Sequence, residues 1–479
     1  MLQQRFSNAH GWLERIFSSS GSWRVLIPPV VLFVAAALAF NASNRLIMAA
    51  IGACLGLGGL IVLLRYQSIG IVLLIVASMF VPFSINTGTN TSIHATILLL
   101  GLLVAAWIID MVAIKKEIRL VRSSTTMPLL AFIVVSCIGF ISGQINWFTG
   151  VEGAPLTAQI GGLSIYLLSA FGFILVAHVI KEPRYLALMT WIFLGLAGFY
   201  ILVRISPRSI ESVLRNMFPM GSDASLFWVW SLALAGAQLF FNKRLPNLTR
   251  VMLGVLVAGI IYVGLVENYD WKSGWMPALL GLMVVIWVGA PRFRVLAVLG
   301  SLLVILVNFT SVSALLTGQE EYSLSTRTEA WRIVFEIAKV NPITGLGFAN
   351  YYWYTPLYVI MGYRVSFNSH NNYLDLLAQT GILGLGAFLW FAASIGILGW
   401  RLLKQVPDGF HKAYIIGALG GLVGTLAAGM LGDWFLPFVY NVGLVGFRSS
   451  VFAWLFLGGL VVYEQLARQA RNGVKDATA

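Results

Sequence analysis

The sequence predicts an all-α, polytopic membrane protein with about fourteen transmembrane helices. Hydrophobic residues make up 59% of the 479 residues and charged residues only 10%, whereas about a quarter of the residues in a soluble domain are charged. Apolar runs of about 17 to 25 residues, the length at which a helix crosses the hydrocarbon core, recur along the whole chain. Because that core offers no water to the backbone, runs of this length predict helices and not the strands of a barrel.

The first predicted span lies near residues 25–40 and follows a basic start that contains Arg5, Arg15 and Arg24. This order is typical of a signal peptide, but no convincing small-residue cleavage site follows the apolar run, and further spans follow at once. We therefore expect a retained first helix.

The connections between the predicted spans alternate between rich and poor in Lys and Arg. The positive-inside rule assigns the rich connections to the cytoplasm. They are the N-terminal segment, Arg65, residues 115–122, 181–184, 243–250, 292–294 and 401–412, and the tail from Arg468. The poor connections, at residues 86–92, 146–155, 267–271 and 432–435, are predicted to lie outside. Both termini are then cytoplasmic.

Two predicted outside segments contain cations and so break this rule. They are the connection 204–224, with Arg204, Arg208 and Arg215, and the polar segment 327–386, with Arg327, Arg332, Lys339 and Arg364. Cations on the side that topology disfavours indicate another role. The formal net charge of +13 does not indicate a nucleic acid partner, because no basic run is interleaved with aromatic residues.

The polar segment begins with a predicted amphipathic helix. Thr326 and Glu329 have the spacing of a capping box, and apolar residues follow at helical intervals. Pro342 after Asn341 ends the pattern. The helix is too polar to span and is expected to lie at the membrane face, with Arg327 in its first turn and Trp331 one turn later.

Two further motifs follow this helix. The glycines of NPITGLGFAN form a tight turn, which alone is weak evidence for phosphate binding. The run Asn368, Ser369, His370 then precedes an apolar helix, so Ser369 or Asn368 is the predicted N-cap and His370 falls in the first turn. A helix N-terminus favours an anion near His370.

Taken together, the Arg327-x-x-x-Trp331 pair, NPITGLGFANY and HNNYLDLLAQTGILGLG resemble the signature domain of the bacterial O-antigen ligase and polymerase superfamily. The resemblance implies a GT-C-like membrane fold with one large periplasmic loop containing short amphipathic helices. It divides the chain into an N-terminal helix bundle (1–309), a periplasmic catalytic loop (310–376), and C-terminal helices with a cytoplasmic tail (377–479). Family members carry an Arg in a short turn before an earlier span, where this chain has Lys272. Lys remains cationic but lacks the bidentate fork of Arg.

The resemblance implies a glycosyltransferase of the bacterial inner membrane that moves a glycan from undecaprenyl diphosphate to an acceptor hydroxyl at the periplasmic face. The acceptor is a lipid A core or another glycan. Because the diphosphate is already a good leaving group, the main task is to stabilise its developing charge. The residues expected to bind diphosphate or glycan are Arg327, Lys272, Arg204, Arg208, Arg215, Asn371 and Trp331. No cofactor is implied.

His370 is the candidate general base, because its ordinary pKa of about 6.5 lies near working pH, or it contacts phosphate instead. The alternative for Arg327 is a head-group anchor, and for His370 a simple helix cap. Asp433 and Arg448 flank the last outside connection. An ionisable residue in a span usually has a partner, so Asp433 pairs with Arg448 or with His370, in a functional or a purely structural role.

The outside acids have no Asp-x-Asp and no acid-plus-His spacing, so no metal site is predicted. EDTA is expected to leave activity intact. A repeat-unit polymerase uses the same donor chemistry as a ligase and stays open. A transporter or flippase of lipid-linked sugars is the alternative of another class, since many spans and interior cations would suit it.

Overall fold

The computed structural model describes residues 63–86, 92–217, 223–295 and 321–478, with the single positions 58 and 299. It is 74% helix with few strands, as the sequence predicts. The predicted first span, near residues 25–40, lies outside the described residues.

The elements are numbered in chain order within these ranges. The helices are α1 (Gln67–Phe80), α2 (Ala95–Ile109, continued by the π-helix Asp110–Ile114), α3 (Thr126–Ser142), α4 (Leu156–Val179), α5 (Pro183–Arg204), α6 (Arg208–Met217), α7 (Ser225–Phe241), α8 (Asn247–Tyr262, continued by the π-helix Val263–Glu267), α9 (Lys272–Gly289), α10 (Glu321–Ala338), α11 (Asn350–Tyr354), α12 (Asn372–Leu402), α13 (Phe410–Leu431) and α14 (Gly443–Thr478). Short 3₁₀ turns follow α9 and α11, at Pro291–Phe293 and Thr355–Leu357. The strands β1 (Ser84–Asn86) and β2 (Ser92–His94) pair antiparallel, with Ser84 opposite His94.

Eight helices of the described chain are long and apolar enough to cross a membrane, and α1, α3 and α7 are shorter apolar helices. The predicted number of about fourteen includes stretches outside the described ranges. That number stays a prediction.

The basic connections gather at one end of the bundle, which we call the basic end. Arg468 Nη1 in α14 donates to the carbonyl of Arg122, at 2.8 Å, and Gln465 Nε2 donates to Ala177 at 2.7 Å. The backbone N–H of Val121 donates to His178 Nε2 at 2.8 Å. The connections that are poor in Lys and Arg follow the opposite ends of the same helices, which we call the polar end. The alternation read from the sequence therefore corresponds to two ends of one bundle.

Close packing of α7, α9 and α13 sets the position of the polar end. A Cβ added to Gly281 would lie 3.0 Å from the carbonyl oxygen of Gly420, and one added to Gly424 would lie 2.8 Å from that of Pro277. Glycine thus permits the helix backbones to approach, as in other membrane helix pairs. The start of α9 and the end of α13 lie side by side as a result.

Helix α12 is interrupted at Gly381, whose φ of 67° lies in the left-handed region. The turn 341–347, which we call the clamp turn, fills the interruption. Leu346 and Gly347 donate their N–H groups to the carbonyls of Ala378 and Gln379, at 2.8 and 3.1 Å. In return, the N–H groups of Ile382 and Leu383 donate to the carbonyls of Pro342 and Ile343 at 2.8 and 3.3 Å.

This exchange of hydrogen bonds satisfies backbone groups that a broken helix would otherwise leave unpaired. Irregular backbone at membrane depth is tolerated only where protein or a water-filled cavity covers it. The glycine-rich motif therefore has a structural role here: it holds α12 in its broken shape.

Candidate functional site

Helix α10 brings Arg327 and Trp331 to the polar end. It buries Ile333, Val334 and Ile337 against its neighbours. The indole Nε1 of Trp331 donates to the carbonyl of Ser369 at 2.7 Å, and Arg327 Nη1 donates to the carbonyl of Leu431, the last residue of α13, at 3.2 Å. A cation at a helix C-terminus is favoured by the helix dipole.

The predicted start of this helix is wrong. Residues 321–326 are already helical, so Thr326 lies inside the helix and does not cap it. Ser and Thr are also accommodated inside helices, and capping-box spacing alone does not establish a helix start. The predicted end is confirmed, since the helix finishes at Ala338, before Asn341 and Pro342. Arg327 thus lies inside the helix and not in its first turn.

The segment before α12 places His370 at the polar end. The N-cap of α12 is Asn371, whose side-chain oxygen accepts from Tyr373 N at 2.9 Å and Leu374 N at 3.4 Å. The predicted caps, Ser369 and Asn368, are therefore wrong by two or three positions. His370 precedes the helix with a φ of 47°, a left-handed conformation that is uncommon outside glycine.

Buried hydrogen bonds maintain this conformation. Ser369 Oγ accepts from the N–H of Asn371 at 3.0 Å and lies 2.7 Å from Asp375 Oδ1, to which it donates. Tyr351 donates its hydroxyl to the same Asp375 oxygen at 2.5 Å. A strained residue held by such a network is typical of a functional site.

The next residue, Asn372, joins α12 to the connection 432–442. Its Oδ1 accepts from Phe435 N at 2.9 Å, and its Nδ2 donates to the carbonyl of Leu436 at 2.7 Å. His370, Asn371 and Asn372 thus have three different roles. His370 faces the connection, Asn371 caps α12, and Asn372 holds the connection through two hydrogen bonds.

Asp433, Asn441 and His370 form a chain of hydrogen bonds. Asn441 Nδ2 lies 2.6 Å from Asp433 Oδ1 and 3.3 Å from His370 Nδ1. An amide nitrogen only donates, so Asn441 donates to both, and Nδ1 of His370 is an acceptor. The single proton of a neutral imidazole is then on Nε2.

Three ionisable groups interact at this point. Burial raises the pKa of Asp433, which is 1% exposed, although hydrogen bonds from Phe438 N and Asn441 oppose the shift. Burial lowers the pKa of His370, Asp433 raises it, and Arg327 lowers it, with a net decrease. Burial also lowers the pKa of Arg327, against the effect of Asp433. His370 is therefore neutral at pH 7, between a carboxyl group and a guanidinium.

Lys272 is the first residue of α9 and lies beside this cluster. The preceding Trp271 packs edge-to-face on Trp434, with ring centroids 5.9 Å apart, and Trp434 directly follows Asp433. Lys272 Nζ lies 5.7 Å from the ring centroid of Tyr269. Among the described residues its ammonium contacts this ring and no carboxylate, so its N–H groups remain available to a ligand.

The arginines of the 204–224 connection divide into three cases. Arg204 Nη2 lies 3.4 Å from Glu267 Oε2 and 3.3 Å from Asn268 Oδ1, and it lines a cavity of about 390 Å³ together with Trp271. Arg208 is exposed on α6. The side chain of Arg215 lies outside the described part of the chain.

Arg448 lies in the first turns of α14 and is buried. Its Nε donates to the carbonyl of Ser78 at 2.9 Å and its Nη2 to that of Met79 at 3.3 Å, at the end of α1. These contacts join α14 to α1. Of the two partners considered for Asp433, the structure therefore brings it to His370, through Asn441, and not to Arg448.

The sequence prediction missed Asn441, Asn372 and the pair Tyr200–Asp223, in which the Tyr200 hydroxyl donates to Asp223 Oδ2 at 2.7 Å. In the connection that contains Asn441, the sequence indicated Asp433 alone as a candidate residue. A single Asn at the end of a loop forms no sequence motif that would indicate its role. Among the described residues, no group of three His, Cys, Asp or Glu side chains could hold a metal ion. Metal independence of the reaction stays a prediction.

Residues 271–389 match the family model described as O-antigen ligase. The match begins at Trp271, includes Lys272, Arg327 and His370, and ends within α12. No curated protein matches the chain. The family match confirms the resemblance carried by the motifs within residues 271–389, a region similar to membrane glycosyltransferases of the O-antigen ligase and polymerase type.

Proposed function

We propose that the protein transfers a glycan from undecaprenyl diphosphate to an acceptor hydroxyl at the periplasmic face of the inner membrane, as an O-antigen ligase. The observation that carries the proposal is the convergence of Arg327, His370 and Asp433 at the polar end, beside the start of the helix that carries Lys272. The acceptor is a lipid A core or a similar glycan. Catalysis requires no metal ion.

The cations of this cluster suit a departing diphosphate. The acceptor oxygen forms a bond to the anomeric carbon while the bond from that carbon to the diphosphate oxygen breaks, and negative charge develops on the leaving group. Arg327 and Lys272 are cations held in fixed positions. They stabilise the negative charge that develops on the diphosphate more effectively than water does. Arg327 donates to the Leu431 carbonyl through Nη1, and its remaining guanidinium nitrogens bind phosphate in this proposal.

The hydrogen-bond chain favours a donor role for His370 over the general base predicted from the sequence. Asn441 occupies Nδ1, so Nε2–H points away from the chain and donates to a phosphate oxygen. A base at Nε2 would need the other tautomer and the loss of the Asn441 contact. The hydroxyl proton then passes to the diphosphate, which becomes more basic as its charge develops.

The membrane side follows from charge. The basic end is rich in Lys and Arg, which the positive-inside rule assigns to the cytoplasm, so the polar end faces the periplasm. Both termini are cytoplasmic under the same rule.

The test uses purified protein in liposomes that contain undecaprenyl-diphosphate-linked glycan and a lipid A core acceptor. We expect formation of glycosylated acceptor with wild-type protein, unchanged by EDTA. Arg327→Gln is expected to lower the rate by about 100-fold, the usual cost of one charge-stabilising donor. Arg332→Gln, on the same helix but paired with Glu329 at the surface, is the matched control and should retain the wild-type rate.

The outcomes separate the alternatives. Glycan transfer between two lipid-linked donors, with no product on the lipid A core, would identify a polymerase. Movement of the donor across the liposome membrane without any transfer would identify a transporter. Activity that EDTA removes and magnesium restores would contradict the metal-free mechanism, and full activity of Arg327→Gln would contradict the site assignment.

A further inference from the structure

The cavity of about 390 Å³ at the polar end lies between the end of α5, the start of α7 and the first turns of α14. Its walls include Tyr200, Arg204, Asp223, Trp228 and Trp271. The volume lies at the small end of the range of about 300 to 1,000 Å³ for small-molecule sites. It fits a part of a lipid-linked glycan and not the whole molecule.

The charge of the walls does not suit a diphosphate. Arg204 is the one cation among the described lining residues, and Glu267 and Asn268 already occupy its Nη2. The Asp223 carboxylate lies in the same wall and would oppose an anion. With one guanidinium and one carboxylate in the lining, the cavity suits a neutral ligand that is rich in hydroxyl groups.

The polar atoms are arranged for hydroxyl groups. Asp223 Oδ2 accepts from Tyr200, and its backbone carbonyl accepts from Trp228 Nε1 at 3.1 Å. The Asp223 side chain is partly exposed and lines the cavity, so its carboxylate can accept hydrogen bonds from a ligand. Hydrogen bonds to a charged group are about twice as strong as neutral ones.

The aromatic rings complete a carbohydrate site. Tyr200, Trp228 and Trp271 all line the cavity, and Tyr200 packs against Trp228 with ring centroids 6.2 Å apart. Large flat rings cover the apolar C–H faces of a ligand and gain free energy from burial of both surfaces. Val442 and Val445 supply the opposite apolar wall.

Two neighbours in sequence join this cavity to the cluster described above. Trp271 lines the cavity and directly precedes Lys272, while Val442 lines it and directly follows Asn441, the partner of His370. If the diphosphate of a ligand lies at Arg327, His370 and Lys272, the group bonded to that diphosphate would enter the cavity.

We propose that this cavity binds a sugar ring of the donor glycan through Asp223 and the surrounding aromatic rings. The inference rests on the proposed function, because it assumes that the diphosphate of the same donor lies at Arg327, His370 and Lys272. It assigns Arg204 to the wall of the sugar site and not to the phosphate.

The test compares two probes on purified protein in nanodiscs. One is undecaprenyl diphosphate, which carries no sugar. The other is the lipid-linked glycan extracted from cells that lack this protein, where its donor accumulates. We expect Asp223→Asn to weaken binding of the glycan lipid by about tenfold or more and to leave binding of undecaprenyl diphosphate unchanged.

A second variant tests the same cavity in case Asp223→Asn does not fold. Val445 is 44% exposed, so Val445→Phe can fill the cavity without disturbing the core, and the same selective loss is expected. The matched control is Val251→Phe, at an exposed position of α8 away from the cavity. It should bind both probes as the wild-type protein does.

Each outcome has a distinct meaning. Equal weakening of both probes by Asp223→Asn would place the diphosphate in the cavity and overturn the sugar assignment. Unchanged binding of both probes by Asp223→Asn and Val445→Phe would also overturn it. Failure of the wild-type protein to bind either probe would instead overturn the proposed function, and this inference with it.

Discussion

The clamp turn and the segment 368–372 belong to the same polar stretch of sequence, yet they use their polar groups in opposite ways. In the clamp turn, the backbone groups are paired with α12, and Asn341 donates to the carbonyl of Gly345 at 2.7 Å. In the segment 368–372, Asn371 and Asn372 are occupied in the same manner, but no described residue forms a hydrogen bond with the second ring nitrogen of His370.

This difference distinguishes residues that maintain the fold, as in the clamp turn, from a residue that can bind a ligand, as in the segment 368–372. A buried polar group must find a partner, because leaving it unpaired costs about 1 to 3 kcal/mol. Where all polar groups are hydrogen-bonded within the protein, as in the clamp turn, the motif has a structural role. Where one polar atom has no partner among the described residues, as Nε2 of His370, a ligand can form the remaining hydrogen bond.

The largest expected effect is on the clamp. In Gly381→Ala, the new Cβ would lie 2.1 Å from the carbonyl oxygen of Ile343, and the φ of 67° strains any side chain. We expect loss of about 3 kcal/mol or more of stability, since both a backbone overlap and a left-handed conformation are involved. Yield and thermal unfolding in detergent are the measurements.

Gly386→Ala is the control for this change. It lies in the same helix, and an added Cβ would meet nothing within 4 Å, so stability should equal or exceed that of the wild-type protein. If Gly381→Ala unfolds at the wild-type temperature, the clamp turn does not determine the shape of α12.

The second prediction concerns the atom that remains free. His370→Ala should lower the transfer rate by about 100-fold, whereas His370→Gln, whose amide can still donate, should retain about a tenth of the activity. A general base has no substitute in Gln, so equal loss in both variants would restore the base assignment. The rate of glycan transfer in liposomes decides between them.

The pH dependence gives an independent measure of the same group. Burial lowers the pKa of His370 below its ordinary value, so the folded state binds fewer protons than the unfolded state as the pH falls through about 6.5. The contribution of His370 to stability is therefore present above this pH and is lost below it. In the donor role, kcat of the protein that remains folded should not fall as His370 protonates, since the imidazolium still donates.

The third prediction tests the link between Asp433 and His370. Asn441→Leu removes the donor to both groups and leaves buried Asp433 with one hydrogen bond fewer. We expect about a tenfold loss of transfer, because a lost hydrogen bond to a buried group costs about 1 to 3 kcal/mol and about 1.4 kcal/mol corresponds to tenfold. A wild-type rate would mean that the tautomer of His370 has no importance. The altered pH profile of the variant would distinguish this role from a general loss of packing.

The sequence was sufficient for part of this site and insufficient for the rest. Composition and run length predicted the membrane helices. The family resemblance of the motifs predicted one site for Arg327 and His370, and the structure brings the two residues close enough to interact. The cap of α12 was misplaced, since Asn368, Ser369 and Asn371 are all good caps and only the fold decides among them. Asn441 and Asp223 could not be found, because their partners lie 71 and 23 residues away.

Glycine in NPITGLGFAN illustrates the same limit. The sequence predicts a tight turn there, with weak evidence for phosphate binding, and whether the glycines serve packing depends on whether another backbone approaches. Gly347 lies so close to Gly143 of the connection after α3 that an added Cβ would fall 2.1 Å from its Cα. Contacts between distant segments of this kind are absent from local sequence patterns.

The smallest expected effect concerns Lys272, the cation proposed to bind the diphosphate together with Arg327 and His370. Lys272 stands where the family resemblance implies an Arg and is a point charge without a bidentate fork, so Lys272→Gln should raise KM for the lipid-linked donor by about tenfold or less. Lys272→Arg should equal or improve on the wild-type protein, because a guanidinium can bind two phosphate oxygens. Lys339→Gln is the matched control, since Lys339 is exposed and paired with Glu336. If Lys272→Gln and Lys339→Gln have the same KM, the diphosphate is bound without α9, and the free polar groups of the site are limited to Arg327 and His370.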